Sequence, residues 1–413
     1  MRKKILISAY ACHPHRGSEH GIGWYYSVKL SNYFDIFVLT RSDNMGEIEE
    51  EIRKQNIHNI KFYYFDLPRV FRFWKKGGRG LYIYYVLWQL GALFKIIKLN
   101  KIYKFDAVWH LTFGNINLPF FTGFAPAPFI IGPVGGGDKV PFSYWRFLSL
   151  RGVINEILRN LVIFLNRHNF LLYFFFKKAL WIYVRTIETM NLIPAKFRKK
   201  VSVFMETAFD SSSLTCNSNI SKDLTSKSTI TFITVGRILW HKGIELSLHF
   251  LKEFSTAFPN FNWEYHIVGN GPEKKRIIRI AKKLGIYEKI KFLGEVPRYR
   301  VFEFLKKADF FLLLSFKEGG AWALIEAMAC GVIPVVVDAG GLSDIVEESC
   351  GIKLYSLDPN ELIKGLVNKI GSVLQNPILM QSMRARAVEK VTNDLTWEKR
   401  LDLILEVLRD VLC

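Results

Sequence analysis

The chain has 413 residues, half of them hydrophobic and 23% charged. That excludes a disordered chain and predicts two or three domains. Lys+Arg number 57 against 37 Asp+Glu, a net charge of +20, and 15% of residues are aromatic. Such a chain is expected to meet an anionic partner: nucleic acid, nucleotide phosphates or a membrane surface.

The charge is uneven. Residues 1–210 hold 30 Lys+Arg and 14 Asp+Glu, and residues 60–200 hold 22 and 5. No DNA-reading helix or finger accompanies the excess, so nucleic acid is not the expected partner. The five cysteines, Cys12, Cys216, Cys330, Cys350 and Cys413, form no C-x-x-C pair. A disulfide framework and a zinc site are not expected, and a reducing cytoplasm fits.

In chain order, Lys4–Ala9 reads as a first strand rather than a leader, because its apolar run is short and Tyr10 and His13-Pro14-His15 follow. A Gly-rich loop, Gly17-Ser18-Glu19-His20-Gly21, leads into a helix over 24–32. A strand over 35–40, a charged helix over 45–55 and a strand over 60–65 follow. Phe105–His110 and Pro128–Gly132 read as further buried strands. Alternating strands and helices predict a parallel, doubly wound sheet.

Arg69–Tyr103 and Ser143–Lys178 mix Arg and Lys with aromatic and aliphatic residues. Either they are core helices of a basic protein, or they form an interfacial surface among anionic lipid head groups. The one-sided charge favours the second reading. Neither stretch has the ~20 apolar residues that a membrane span needs.

Residues 206–228 are rich in Ser, Thr and Asn and read as a linker. A second strand–helix series then starts at Ile230–Val235. It runs through helix 243–256, strand 263–268, helix 273–284, strand 290–293, helix 299–306, strand 309–314, helix 322–330 and strand 332–337. The expected division is a first domain over 1–210, a linker over 211–228 and a second domain over 229–391. The amphipathic end, 392–413 with Trp397, packs back on the first domain.

The second series carries most of the chemistry. Gly236-Arg237 and Lys242-Gly243 follow its first strand. Two cations five apart can clamp a diphosphate beside a helix N-terminus, and glycine lets phosphate approach the backbone. Gly269-Asn270-Gly271-Pro272 makes a turn at the next strand end. Glu318 and Glu326 then stand eight apart across a Gly-rich turn that opens an apolar helix, and Gly340-Gly341 forms another such loop. Carboxylates accept hydrogen bonds from sugar and ribose hydroxyls.

Four ordered motifs, the Arg237/Lys242 pair, the Gly269–Pro272 turn, the Glu318/Glu326 pair and the E-A-M-A-x-G-x-P-V run from Glu326 to Val335, resemble the retaining GT-B glycosyltransferases of family GT4 (glycosyltransferase group 1). The resemblance is specific over 230–345 and looser before it. It implies an α/β fold of two Rossmann-like, doubly wound domains facing across a cleft. It implies a glycosyltransferase of hexosyltransferase type, acting on a UDP- or GDP-sugar as substrate, without metal or cofactor. By resemblance, Arg237 and Lys242 neutralise the diphosphate, Glu326 holds the ribose and Glu318 contacts the donor sugar. Gly236, Gly269, Asn270, Gly320, Ala321 and Trp322 line the donor side. The chain departs from the family where Gly320 replaces an aromatic residue, Ala321 a glycine and Ala323 a proline.

Many family members carry a histidine after the strand at 128–132. This chain has Gly135-Gly136-Gly137-Asp138 instead. Gly17, Glu19, His20, His110, Gly136 and Asp138 are the candidates on the acceptor or cleft side. For His110 the competing reading is a satisfied buried histidine. For Glu19 and His20 it is a solvated loop. The basic, aromatic-rich first half points to a glycan or lipid-linked acceptor in bacterial surface-polysaccharide synthesis, on the cytoplasmic face of the plasma membrane. Two alternatives stand beside this reading. One is a non-catalytic basic protein of this fold that binds membrane or nucleic acid. The other is a sugar-nucleotide epimerase.

Overall fold

A computed structural model describes residues 2–71, 73–74, 80–210 and 229–412. The expected linker over 211–228 lies outside them. The chain divides into two compact units: 1–137 with 162–206 and 401–413, and 138–161 with 207–400.

The elements before the linker are β1 (Lys4–Ser8), α1 (Glu19–Leu30), β2 (Asp35–Thr40), α2 (Met45–Gln55), β3 (Ile60–Tyr64), α3 (Leu81–Tyr103), β4 (Ala107–His110), β5 (Phe129–Val134), α4 (Leu150–Asn166), α5 (Phe170–Lys178), β6 (Ala179–Val184), α6 (Ile187–Met190) and β7 (Val201–Val203). The strand order is β3-β2-β1-β4-β5-β6-β7, and the pairs are parallel. As expected, the apolar Lys4–Ser8 run is a strand, and it lies inside the sheet between β2 and β4. A strand buried on both faces reads as a continuous apolar run, which is why β1 and β5 are legible.

The core of this unit lies on both faces of its sheet. Tyr84, Tyr85, Trp88 and Ile96 of α3 cover Leu6, Phe37 and Val108. Phe175 and Phe176 of α5 pack with Ile131 and Ile182. So α3, expected as part of an interfacial surface, buries one long face as a core helix. Helix α1 starts at Glu19, five residues before the expected start, and so includes part of the Gly-rich loop.

After the linker come β8 (Thr229–Val235), α7 (Ile244–Ala257), β9 (Asn262–Val268), α8 (Lys274–Lys283), β10 (Ile290–Gly294), α9 (Arg298–Lys307), β11 (Phe310–Leu313), α10 (Trp322–Ala329), β12 (Ile333–Val337), α11 (Gly341–Ile345), β13 (Ile352–Leu354), α12 (Pro359–Leu374), α13 (Pro377–Asp394) and α14 (Trp397–Leu412). The order β10-β9-β8-β11-β12-β13 is again parallel. Helices α12 and α13 each open on a polar cap followed by proline. Asp358 accepts from Asn360 N–H, and Asn376 accepts from Leu379 N–H.

The division departs from the expected one in three places, the first being that 207–210 fall in the second unit. Residues 138–161 belong with the second unit, because Val140, Tyr144 and Phe147 are part of its core. The Tyr144 ring lies 4.4 Å from Phe316, and its hydroxyl donates to Ser356 O at 2.7 Å. The C-terminal segment of the first unit starts at 401 rather than 392. Trp397, assigned to that return, stays in the second unit and meets Trp322 edge-on at 5.8 Å. Among the described residues Cys12, Cys330 and Cys350 form no disulfide. Among the described residues no helix is long and apolar enough to cross a membrane.

Candidate active site

In each sheet the first strand lies beside the fourth, so the strand order reverses between β1 and β4 and between β8 and β11. Crevices at such reversals, outside the C-terminal strand ends, are where parallel α/β sheets take ligands. The loops after β8 and β11 meet at the second of them. Ser315 Oγ donates to His241 O at 2.6 Å. Gly243 caps α7 with φ +68, and a Cβ there would lie 1.9 Å from Leu314 O. Only glycine lets the two loops approach this closely.

The contact brings the expected cation and carboxylate together. Lys242 Nζ lies 2.8 Å from Glu318 Oε1 and 3.0 Å from Oε2. Glu318 is buried, and Arg237 is exposed at the mouth of its loop. His241 is pushed down to about 3, by burial first and then by Lys242, Lys317, Arg159 and Arg237. Four cations around one half-buried imidazole mark a concentrated positive field at this edge.

The Gly269 turn supports the clamp from the next strand. Gly236 N–H donates to Val268 O at 2.9 Å, and Ile238 N–H donates to Asn270 O at 2.9 Å. The Asn270 side chain is exposed and accepts from Gly271 N–H. The third loop closes on the first glutamate, where Gly341 N–H donates to Glu318 O at 2.7 Å. A Cβ on Gly341 would fall 2.3 Å from Gly319 O. The departures from the family turn are accommodated. Ala321, the N-cap of α10, has φ −105, which an ordinary residue adopts, so glycine is not required there. The Trp322 indole N–H is buried and has no hydrogen-bond partner among the described residues.

Glu326 differs from expectation. Its buried carboxylate is held by Arg298 of α9, with Nη2 at 2.7 Å and Nε at 2.9 Å from Oε1. Burial raises its pKa, and Arg298 opposes the rise. Any ribose at Glu326 shares it with Arg298, a residue that sequence reasoning did not reach.

The acceptor-side candidates do not form one group. Asp138 belongs to the second unit and lies against the third loop. Its Oδ1 is 3.4 Å from where a Gly340 Cβ would be, and it has no hydrogen-bond partner among the described residues. Beside it, Lys317 pairs with the fully buried Glu156 at 2.7 Å and lies 4.5 Å from the centre of the Trp240 ring. Burial, then Arg159, pushes Lys317 down to about 8. Lys317 directly precedes Glu318, and that adjacency was the available signal.

In the first unit Glu19 is structural. Its Oε2 accepts from Phe113 N–H at 3.1 Å, and its Oε1 accepts from Arg185 at 2.9 Å. His20 is half-buried, and its pKa is lowered by burial, then by Arg16. Gly17 is exposed with nothing near it. Gly136 O accepts from Asn117 Nδ2. His110 is a buried internal residue, not a site residue. Its Nε2 meets Tyr85 Oη at 3.0 Å and its Nδ1 meets Thr122 Oγ1 at 3.3 Å, and burial pushes it down to about 4. Among the described residues no group of His, Cys, Asp and Glu could hold a metal ion.

Two parallel, doubly wound sheets, each reversing its strand order beside its first strand, fit the GT-B fold. Residues 217–390 match the family model of the Glycosyl transferases group 1. It is 32% identical over 162 residues to N-acetyl-alpha-D-glucosaminyl L-malate synthase of Bacillus anthracis, covering 39% of this chain and 41% of that one. It is 26% identical over 141 residues to a phosphatidylinositol N-acetylglucosaminyltransferase of Arabidopsis thaliana, covering 34% and 31%. The chain therefore spans less than half the length of these curated relatives. The crystal structure of Anabaena HepE with UDP and glucose matches over 99% of this chain and 100% of that one, with TM-score 0.62 and 16% identity, and shares the fold.

Proposed function

We propose that the protein is a retaining glycosyltransferase. It moves a sugar from a uridine-diphosphate donor to a glycan or lipid-linked glycan at the anionic cytoplasmic face of a membrane, in surface-polysaccharide synthesis. The observation that carries this reading is the pairing of Lys242 with Glu318 inside a field of four cations at the strand reversal. The names of the relatives support an N-acetylglucosaminyl or glucosyl donor, since one fold neighbour is seen with UDP and glucose.

In this mechanism the bond between the anomeric carbon and the diphosphate oxygen breaks. The acceptor hydroxyl oxygen bonds to the same face of that carbon, and its proton passes to the departing diphosphate. Arg237 and Lys242 stabilise the charge that develops on the diphosphate. Cations fixed before reaction do this without reorganisation. Glu318 orients the sugar and holds Lys242 in place, and Glu326 with Arg298 holds the ribose. Asp138, buried beside the third loop, faces the sugar side.

The test is a thermal-shift screen against UDP, GDP, ADP and their sugars, followed by product analysis with membrane lipid extract as acceptor. A ligand that binds the native state raises its melting temperature. A shift with UDP and transfer to lipid are expected. No shift with any nucleotide, in protein that melts cooperatively, would overturn the donor assignment. Conversion of the nucleotide-sugar without acceptor would mean an epimerase.

A further inference from the structure

Helix α4 is built inside out. Its inner face carries a charge beside buried Gly152 and Ile163: Glu156 is fully buried and accepts from Val140 N–H and Lys317. Its outer face is apolar. Leu150, Ile154, Ile157, Leu158, Leu161 and Leu165 repeat at helical spacing, and each is between 48% and 78% exposed. An amphipathic helix normally buries such a stripe. Phe170, at the start of α5, is 84% exposed.

The surrounding charge has one sign. Residues 139–187 contain eight Lys and Arg and a single carboxylate, Glu156, which is buried and paired. Arg151, Arg167 and Lys177 are exposed on this stretch. A second copy packed face to face would set these cations against themselves. An anionic lipid surface answers both features, the aliphatic stripe and its cationic border.

We infer that the outer face of α4 lies in the interface of an anionic bilayer, with the aliphatic stripe among the acyl chains and Arg151 of the same helix on a lipid phosphate. This rests on the peripheral-membrane part of the proposed function and locates it on one helix. Glu156 and Lys317 tie the same helix to the loop that carries Glu318.

The experiment uses the full chain and phosphatidylglycerol vesicles in a co-sedimentation assay, with phosphatidylcholine vesicles as the uncharged comparison. The wild type is expected to partition to phosphatidylglycerol and to come off as salt rises. Ile157→Glu with Leu161→Glu is expected to lower partition at least tenfold. Ile378→Glu, an exposed apolar position on α13, is expected to leave it unchanged. The UDP thermal shift of each variant reports folding and donor binding separately, so loss of the donor reading leaves the vesicle result interpretable. Wild-type protein that stays in solution, or a double variant that partitions like wild type, overturns the inference. A concentration-dependent dimer abolished by the double variant, with no vesicle binding, would assign the face to a second copy instead.

Discussion

Lys242 and Glu318 stand 76 residues apart in sequence and form an ion pair at 2.8 Å, at the C-terminal edge of the second sheet. The lysine expected on a diphosphate is already engaged by the glutamate expected on the sugar. A diphosphate therefore enters a site where the cation is held in position and shared. Lys242→Ala is expected to weaken UDP binding roughly 10- to 100-fold, since charge-assisted hydrogen bonds contribute about 1.5–3 kcal/mol. Calorimetry with UDP and with uridine separates the diphosphate contribution. An equal loss for both ligands would place Lys242 elsewhere.

Asp138 is predicted to act on the sugar rather than on the nucleotide. Asp138→Asn should lower transfer by about 100-fold, in the range of a lost transition-state contact, and leave UDP affinity unchanged. Single-turnover rates beside UDP titration check this. Unaltered transfer would reduce Asp138 to a packing role beside Gly340.

Glu326 and Arg298 make a directional prediction about the ribose. Glu326→Gln should weaken binding of UDP but not of a dideoxy-ribose analogue, because only the former offers hydroxyls to the carboxylate. Equal weakening of the two ligands would remove Glu326 from the ribose. Arg298→Ala leaves a buried carboxylate unpaired, so it should destabilise the fold as well as the complex.

Gly243→Ala tests the contact between the two loops. The new Cβ would fall 1.9 Å from a backbone oxygen at φ +68, with no flexible side chain to yield. A loss of about 3 kcal/mol or more is expected in denaturant unfolding. Gly17→Ala, with nothing near it, should be close to neutral.

Two histidines, the buried His110 and the half-buried His241, set an acid limit. His110 is held down to about 4 and His241 to about 3, against 6.5 when unfolded. Between pH 6.5 and about 4 the unfolded chain therefore binds more protons than the native one. Stability is full above pH 6.5 and falls as pH drops through that window, by on the order of 3 kcal/mol for His110. His110→Gln should flatten the decline in melting temperature between pH 7.5 and 5. A decline as steep as that of the wild type would assign it to other groups.

Two parallel sheets and the glycine-rich loops after β8, β9 and β11 are legible in the order of the amino acids. Strands such as Lys4–Ser8 and Phe310–Leu313 are buried on both faces, so their local apolar runs are enough to mark them. Gly236 and Gly269 directly follow β8 and β9, and Gly243 opens α7. Other features exist only once distant segments pack. These include the unit that takes residues 138–161, the hold of Arg298 on Glu326, and the sealing of His110 among Tyr85 and Thr122. The outward turn of the α4 leucines is another. Its 3.6-residue periodicity marks an apolar stripe, and periodicity carries no sign for inside or outside. That sign came from Glu156, whose buried pairing with Lys317, 161 residues away, fixes its own face inward.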